Sequence, residues 1–426
     1  MTIKYMKAGR EAPCKPGCPI GIDIPRHLRY LSDGKFSEAL AVMREKTPFP
    51  GILGHVCYQP CEPECRIYES TAPAVRVLHR FAFEQGRSLF EEKTEVKPSG
   101  KRAAVIGSGP AGLTAAYYLV KRGHRVTVFE ALPEAGGMMR FKIPDYRLPR
   151  DVLDKELDAV VKIGVEIKTG FKAESLDDLF QEGYNAVFVA VGAYKRVEDT
   201  KIGAAQFGLP ASKGSRLEVD PDTLTTKKAG VYAGGDCITG PRSVVEAIAA
   251  GRKAAVSIDK YLGGSGNIDE RLAPLEEEFK PLTQGLPIGP PLSIPTQPID
   301  EASKRSAEIE LRYMAKLRSD RDVDEGLEIF SKKESSLRVE EAVEEAKRCL
   351  RCDLPIMVDG DQCIGCLICQ LRCSLNLAGV FNPLLSALEL TRREKGTFEI
   401  AFTDKCIDCG ICARHCPYGG LSLGTK

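Results

Sequence analysis

No stretch of the 426 residues approaches the roughly 20 consecutive apolar residues that a membrane-spanning helix needs. Neither charge dominates: 60 Lys and Arg against 59 Asp and Glu leave a formal net charge of +1. That excludes nucleic acid as a bulk electrostatic partner. The opening MTIKYMKAGREAPC lacks the apolar core of a secretory signal, so the cytoplasm is the expected location. No Ser–His–Asp set and no paired acid and base stand out, and no catalytic residue is assigned. No repeat of 20–50 residues is visible, apart from two similar cysteine runs near the end.

Cysteine is what the chain has in excess. Sixteen are present in tight, repeated spacings. Secreted disulfide scaffolds are usually much shorter, so these cysteines read as metal ligands. With 43% hydrophobic and 28% charged residues, the chain is an ordinary globular composition, long enough for two or three domains.

The stretch VIGSGPAGLTAA places Gly107, Gly109 and Gly112 in G-x-G-x-x-G spacing between a strand pattern (AAVIG) and a helix pattern (GLTAAYYLVKRG). The first glycine permits a tight turn, the second lets backbone approach a pyrophosphate, and the third allows helix–strand packing. The helix N-terminus then offers free N–H groups to phosphate. Glu130 closes the next strand, HRVTVFE, 23 residues after Gly107, where an acid accepts hydrogen bonds from ribose hydroxyls. Alone, this fingerprint does not separate FAD from NAD, or a ligand site from a bare tight turn. Two further pieces favour a ligand. EALPEAGGMM puts Gly136 and Gly137 in a loop made for close approach, and GVYAGGD ends a buried strand at Asp236 just before a helix.

Together VIGSGPAGL, FEALPEAGGMMRFKIPDYRLP, AVFVAVGA and GVYAGGD…VVEAIAAGRKAA resemble the flavin disulfide-reductase-like proteins related to the small subunit of glutamate synthase. The resemblance covers roughly residues 100–195 and 229–261. It implies that the first glycine loop (Gly107, Gly109, Pro110, Ala111, Gly112) holds the FAD pyrophosphate. It implies that Glu130 holds the adenosine ribose and that Asp236 contacts the ribityl–phosphate region. Gly136, Gly137, Met138, Gly192, Gly235 and Val244 complete the implied FAD set. One departure is Lys142, where the family usually has glycine before "IP".

In that family a nicotinamide domain with its own glycine fingerprint sits between the turn at Ala190-Val191-Gly192 and the GGD strand. Here only 41 residues, 193–233, fill that gap, and no second G-x-G-x-x-G occurs anywhere. A βαβ unit alone takes about 30 residues, and a domain at least about 50. A nicotinamide domain is therefore not expected, although a pyridine nucleotide could bind elsewhere without a motif.

CIGCLICQLRC and CIDCGICARHCP both carry the bacterial ferredoxin spacing C-x2-C-x2-C-x3-C. In such runs the fourth cysteine ligates the other cluster. One [4Fe–4S] site is therefore expected from Cys363, Cys366, Cys369 and Cys416, and a second from Cys406, Cys409, Cys412 and Cys373. Zinc is the alternative, but zinc knuckles pair two C-x2-C units. Ser374 replaces the proline usual after the first run. CKPGCPIGIDIP and GHVCYQPCEPEC resemble the N-terminal cluster domain of the glutamate synthase small subunit and of dihydropyrimidine dehydrogenase. Those relatives have a C-x2-C pair before the position of Cys14, absent here. EEAKRCLRCDLP looks like that pair, displaced to the far side of the flavin domain. Cys349 and Cys352 are then expected beside Cys14 and Cys65 in a third cluster, with Cys18, Cys57 and Cys61 in a fourth. Its missing ligand aligns with His79, which otherwise reads as a packing histidine. Cys237 reads as a small buried residue, or as a thiol near the flavin.

The expected fold is multidomain α/β. A helical N-terminal iron–sulfur domain (1–97) precedes a Rossmann-like FAD domain without a nicotinamide insert (98–264). An extended Pro-rich and charged connector (265–336) leads to the Cys349/Cys352 segment and an α+β dicluster ferredoxin-like domain (337–426). Expected cofactors are FAD and [4Fe–4S] clusters, two in the C-terminal domain and two more at the N-terminal domain. The leading functional expectation is an electron-transfer subunit of a multi-subunit oxidoreductase, passing electrons between a partner's catalytic centre, for example a 2-oxoacid:ferredoxin oxidoreductase or another low-potential anaerobic enzyme, and ferredoxin or a second enzyme. The alternatives are a self-contained NAD(P)H-dependent oxidoreductase and an assembly scaffold with structural clusters.

Overall fold

The computed structural model describes residues 5–7, 11–67, 72–87, 96–193, 207–212, 216–274, 292–294, 296–298, 300, 303, 332–352, 354, 356–393 and 397–424. The first strand, β1 (Tyr5–Lys7), precedes four helices: α1 (Ile24–Ser32), α2 (Phe36–Arg44), α3 (Pro50–Val56) and α4 (Val75–Gln85). Asp23 caps α1 by accepting from the Arg26 N–H, with Pro25 in the first turn where its missing N–H is not needed. The four helices bury Leu31, Met43, Phe49, Ile52, Leu78 and Phe81 between them.

The central unit is a five-stranded parallel sheet in the order β4–β3–β2–β5–β8. Its strands are β2 (Arg102–Ile106), β3 (Arg125–Phe129), β4 (Glu166–Lys168), β5 (Ala186–Val189) and β8 (Val231–Ala233). The three middle strands, β3, β2 and β5, are almost wholly buried, hence their uninterrupted apolar runs. Helix α5 (Pro110–Lys121) links β2 to β3 and packs on α10 (Val244–Tyr261). Contact there is close because Gly251 has no Cβ; one would lie 2.3 Å from the Ala111 carbonyl oxygen. Ser243 and Glu246 form a capping box that starts α10. Helices α6 (Met138–Phe141), α7 (Arg150–Lys162), α8 (Leu176–Gln181) and α9 (Asp236–Thr239) complete this unit.

Strands β5 and β8 are direct neighbours in register Val187↔Val231. Of the segment joining them, residues 207–212 and 216–233 form a short ladder, β6 (Ala211–Ser212) with β7 (Arg216–Leu217), and a turn organised by Asp220. Residues 194–206 and 213–215 lie outside the described residues.

The C-terminal unit contains the helices Ile368–Ala378 and Ile411–Arg414 and the hairpin β12 (Leu388–Arg392)–β13 (Phe398–Phe402). It also has a small sheet in which β11 (Ile356–Val358) pairs with β14 (Leu421–Leu423). Two segments join units that are distant in the chain. Strand β1, counted with the N-terminal domain, pairs antiparallel with β11 (Met6↔Met357) and so extends the C-terminal sheet. Helix Val339–Ala346, which leads into Cys349, packs on α1 and α4 of the N-terminal unit. The buried Glu345 carboxylate fixes it there by accepting from Ala74 N (2.9 Å) and Leu292 N (3.1 Å), and it pairs with the buried Arg348 at 2.6 Å. Neither placement is encoded locally, because both pairings span more than 250 residues. In the Pro-rich connector, β9 (Thr296–Pro298) pairs with β10 (Lys332–Glu334). Most of the connector, including most of residues 301–331, lies outside the described residues.

Candidate functional site

The glycine motifs converge on the C-terminal edge of the parallel sheet, where open α/β folds bind ligands. Gly107 follows β2 with φ +104°, a conformation costly for other residues. A Cβ on Gly112 would lie 2.0 Å from the Gly107 carbonyl oxygen, so the turn closes only with glycine there. Gly109 N-caps α5, ahead of Pro110 and Ala111, and a Cβ on it would meet nothing within 4 Å. That is an open cradle in front of a helix N-terminus, the geometry a pyrophosphate needs. Gly136 and Gly137 (φ +119° and +52°) bring the second loop against the first, and a Gly137 Cβ would approach Gly109 Cα to 2.9 Å. Met138 opens α6, Gly192 (φ +71°) follows β5, and Gly235 (φ +76°) sets Asp236 at the start of α9. Val244 is the first residue of α10.

Glu130 is buried and makes three protein hydrogen bonds. Its Oε2 accepts from Ser108 N (2.9 Å) and Ser108 Oγ (2.5 Å), and its Oε1 from Leu132 N (2.9 Å). One lone-pair position on Oε1 remains for a ribose hydroxyl. Ser108 Oγ in turn accepts from Gly136 N at 3.1 Å, so one acid locks both glycine loops. Asp236 Oδ1 accepts from Arg242 N at 3.1 Å. Cys237 is resolved toward packing. It is buried, its Sγ faces the carbonyls of Val189 (3.4 Å) and Gly234 (3.2 Å), and burial pushes its thiol up to about 12.

The C-terminal cysteines line two cavities. Cys363, Cys366, Cys369 and Cys416 border one small cavity. Cys373, Cys406, Cys409 and Cys412 border another. These are the two sets expected from the crossed ferredoxin pattern. Burial, then the neighbouring Cys416 and Cys363 thiols, raises Cys369 to about 12. Burial also raises Cys409 to about 12 and puts Cys412 well above its ordinary value. Crowded buried thiols of this kind favour a bound cation that replaces their protons. Backbone amides aim at the sulfurs: Ala387 N at Cys373 (3.3 Å) and Leu421 N at Cys416 (3.4 Å). Such hydrogen bonds are one determinant of cluster potential.

The pair Cys349/Cys352 and the first C-x2-C unit of each ferredoxin run carry a left-handed residue just before the second cysteine: Arg351 (φ +52°), Gly365 (+72°) and Asp408 (+56°). The residue after that cysteine repeats the conformation in both ferredoxin runs, at Leu367 (+63°) and Gly410 (+76°). Three of these five positions hold side chains in a costly conformation, so composition alone did not announce it. Among the described residues no three His, Cys, Asp or Glu converge at the distances of a single metal ion. Ligands of a cubane bind separate irons and stand wider apart.

At the N-terminal unit, burial raises the Cys14 thiol, followed in effect by the Cys349, Cys352, Cys65 and Cys61 thiols around it. The displaced C-x2-C pair thus reaches Cys14 across more than 330 residues of chain. Cys61 is raised by burial and then by Cys18 and Cys57, the expected second group. His79 is buried on α4, and its Nε2 has no hydrogen-bond partner among the described residues. That orphaned nitrogen fits a ligand role. Its ring meets His27 edge-on at 4.7 Å, and burial, then His27, lowers its pKa. His27 itself was not singled out from the sequence. Its Nδ1 lies 2.9 Å from the Ala39 carbonyl, and its Nε2 is likewise without a hydrogen-bond partner.

Other missed residues sit between the cluster units. Arg414 is buried and donates to the carbonyls of Arg348 (3.2 Å), Cys349 (2.8 Å) and Lys347. Asn376 donates to Arg66 O (3.3 Å) and to Cys409 Sγ (3.6 Å). Ile67, Leu350, Cys409 and Ile411 share one small core with Cys65 and Ile407. Only the four-cysteine spacing nearby could have hinted at them.

One absence read from the sequence is corrected. A Ser–His–Asp line does form: Ser99 Oγ to His124 Nδ1 is 2.8 Å, and His124 Nε2 to Asp259 Oδ1 is 2.8 Å. Its members are 25 and 135 residues apart, so no local motif shows it. It lies at the opposite edge of the sheet from the glycine loops, before β2 and β3. Asp259 also accepts from Gly266 N, so the line ties the end of α10 to the sheet.

Comparisons with known proteins agree with these parts. Residues 78–251 match the family described as pyridine nucleotide-disulphide oxidoreductase. Residues 7–89 match dihydropyrimidine dehydrogenase domain II, 4Fe-4S cluster, and residues 362–421 match a 4Fe-4S dicluster domain. The chain is 42% identical over 209 residues to the NADP(+)-dependent formate dehydrogenase subunit beta of Moorella thermoacetica. It is 38% identical over 193 residues to the NADPH-Fe(3+) oxidoreductase subunit beta of Geobacter sulfurreducens. It is 32% identical over 192 residues to the glutamate synthase [NADPH] small chain of Escherichia coli. Each match covers 43% of this chain, and 30%, 28% and 40% of the respective relatives. The resemblance to glutamate synthase small chains therefore holds, and FAD and [4Fe–4S] clusters are the cofactors these domains imply. No helix among the described residues is long and apolar enough to cross a membrane.

Proposed function

We propose that this chain is an electron-transfer subunit of a multi-subunit oxidoreductase. It exchanges electrons between a partner's catalytic centre, such as a 2-oxoacid:ferredoxin oxidoreductase, and ferredoxin or a second enzyme. The observation that carries this is the adjacency of four cysteine sites. Cys369 of the first ferredoxin set acts on Cys412 of the second. The second shares a core with Cys65. Cys14, grouped with Cys65, is acted on by Cys61 of the last set. That last set adjoins the flavin unit, because α3 ends at Cys57 and rests on α7. Glu156 of α7 accepts from Gly51 N and Ile52 N at 2.8 Å each, joining the two units.

FAD exchanges electrons singly or in pairs and the clusters exchange them one at a time, so together they interconvert the two. The chain's own task is to hold and space them. The loops at Gly107–Gly112 and Gly136–Gly137, with Glu130 and Asp236, would hold FAD. The sets Cys363/Cys366/Cys369/Cys416, Cys373/Cys406/Cys409/Cys412, Cys14/Cys65/Cys349/Cys352 and Cys18/Cys57/Cys61 with His79 would hold the clusters. The short link between β5 and β8 supports a flavin unit with no nicotinamide domain, so electrons enter and leave through proteins. The test is anaerobic: NADH or NADPH alone leaves the flavin of the isolated holoprotein oxidised. Rapid bleaching at micromolar nucleotide would favour the second reading, a self-contained NAD(P)H oxidoreductase, for which the NADP(H) in the relatives' names speaks.

A further inference from the structure

The two ferredoxin runs align residue for residue, CIGCLIC (363–369) on CIDCGIC (406–412). Their surroundings differ. In the second run Ile407, Cys409 and Ile411 are covered by Ile67 and Leu350 of the N-terminal cluster unit, and Ile411 is fully buried. That face is an interface between two cluster-bearing units. In the first run Phe398 packs on Gly365, but the rest of the matching face is open among the described residues. Ile364, the counterpart of Ile407, is 57% exposed, Leu367 is 40% exposed and the nearby Tyr418 is 48% exposed. All three border the cavity of the first cysteine set. Cys366 is the exposed one among the sixteen cysteines, while its counterpart Cys409 is buried. Leu367 also occupies a left-handed position (φ +63°) where the second run has Gly410. A leucine held there carries a backbone cost that a glycine would not. Exposed apolar patches of this kind mark contact sites.

From this internal comparison we infer that Ile364, Leu367 and Tyr418 form the docking face for a separate iron–sulfur electron carrier. The covered face already shows which occupant the geometry accepts: a unit bringing its own cluster under an apolar surface. A one-electron centre is required of the partner, because the site beneath exchanges single electrons. The inference rests on the electron-transfer reading above and assigns it a port, the Cys363/Cys366/Cys369/Cys416 site.

The test uses the full-length holoprotein and a two-cluster bacterial ferredoxin as probe. Equilibrium binding of the oxidised ferredoxin is measured, with amide hydrogen exchange of residues 361–369 as a second readout. Transfer from the reduced ferredoxin is followed by stopped flow. Ile364→Glu and Leu367→Glu each weaken binding about tenfold or more, as loss of a central apolar contact does. Leu367→Gly, which the backbone accepts without strain, weakens it less. Val161→Glu, at an exposed apolar position on α7, changes nothing. Bound ferredoxin protects residues 361–369 from exchange. If the unaltered protein binds and accepts electrons but the Ile364 and Leu367 variants match it, the docking face is wrong and the electron-transfer reading stands. If the unaltered protein neither binds the ferredoxin nor accepts its electrons, the docking inference falls, and the electron-transfer reading is decided separately by the nucleotide-bleaching test. Iron content and flavin absorbance of each variant confirm that the fold is intact.

Discussion

Cys366 and Cys409 are the middle ligands of two runs with the same spacing and the same two left-handed residues. One is exposed and the other buried. Their cavities are similar in size, so the difference lies in what covers them. Around Cys409 the cover is the chain itself: Ile67, Leu350, Asn376 and the Arg414 bridge to the Cys349 loop. Around Cys366 the described residues give less: the Phe398 ring packs on Gly365, and Cys366 itself stays exposed. Ligand geometry is thus a local property, repeated twice, while burial is assigned by partners far away in the chain. The same spacing is packed against other parts of the chain in one place and is open to solvent in the other.

Removing the ligands should separate the two most. Cys366→Ala is expected to lose one cluster, about four irons per chain, and leave the rest assembled. Cys409→Ala should lose its own cluster and loosen the Cys14/Cys65/Cys349/Cys352 site that shares its core, giving a deficit closer to eight. Iron and sulfide analysis with low-temperature paramagnetic resonance decides this, and equal losses would erase the distinction.

Next in size are changes that touch no ligand. Ile411→Ala empties a fully buried position and should cost about 2–5 kcal/mol, whereas Ile364→Ala at an exposed position should stay within about 0.5 kcal/mol. Arg414→Ala leaves the carbonyls of Lys347, Arg348 and Cys349 without their donor and should cost about 2–3 kcal/mol. Denaturant midpoints of the holoprotein read all three.

Smaller still are the left-handed positions. Leu367→Gly should be neutral or stabilise by up to about 1 kcal/mol by relieving strain. The reverse change, Gly410→Leu, places a Cβ 3.2 Å from Leu423 Cδ2 in a left-handed conformation and should destabilise by about 1–3 kcal/mol. The pH response should scarcely distinguish the runs. Cys369 and Cys409 are both raised to about 12 by burial, from an ordinary 9.0. Iron must displace their protons, so loading of both sites should strengthen together from pH 7 to 8.5. Iron uptake by the iron-free chain that rises at one run and falls at the other would contradict this.

Much of the site was legible without coordinates because its chemistry is written in short spacings. Three cysteines within seven residues, or a glycine turn between a strand and a helix, fix geometry through a few backbone angles. The crossed pairing of Cys373 and Cys416 was legible for the same reason, since each run repeats one pattern. The Ser99–His124–Asp259 line was not, because its members share no element. Nor was the transfer of strand β1 to the C-terminal sheet, or the protein hydrogen bonds that occupy Glu130.

The sequence alone determined the class of chemistry: a flavin turn, cysteine runs of ferredoxin spacing, and only 41 residues, 193–233, ahead of the GGD motif. Those features rest on covalent spacing and local steric limits. Tertiary structure decided which cysteines meet across the length of the chain, which run is covered and which faces solvent. That choice depends on burial and buried hydrogen bonds between distant segments, such as Glu345 with Ala74 and Arg414 with Cys349. No stretch of sequence carries that information by itself.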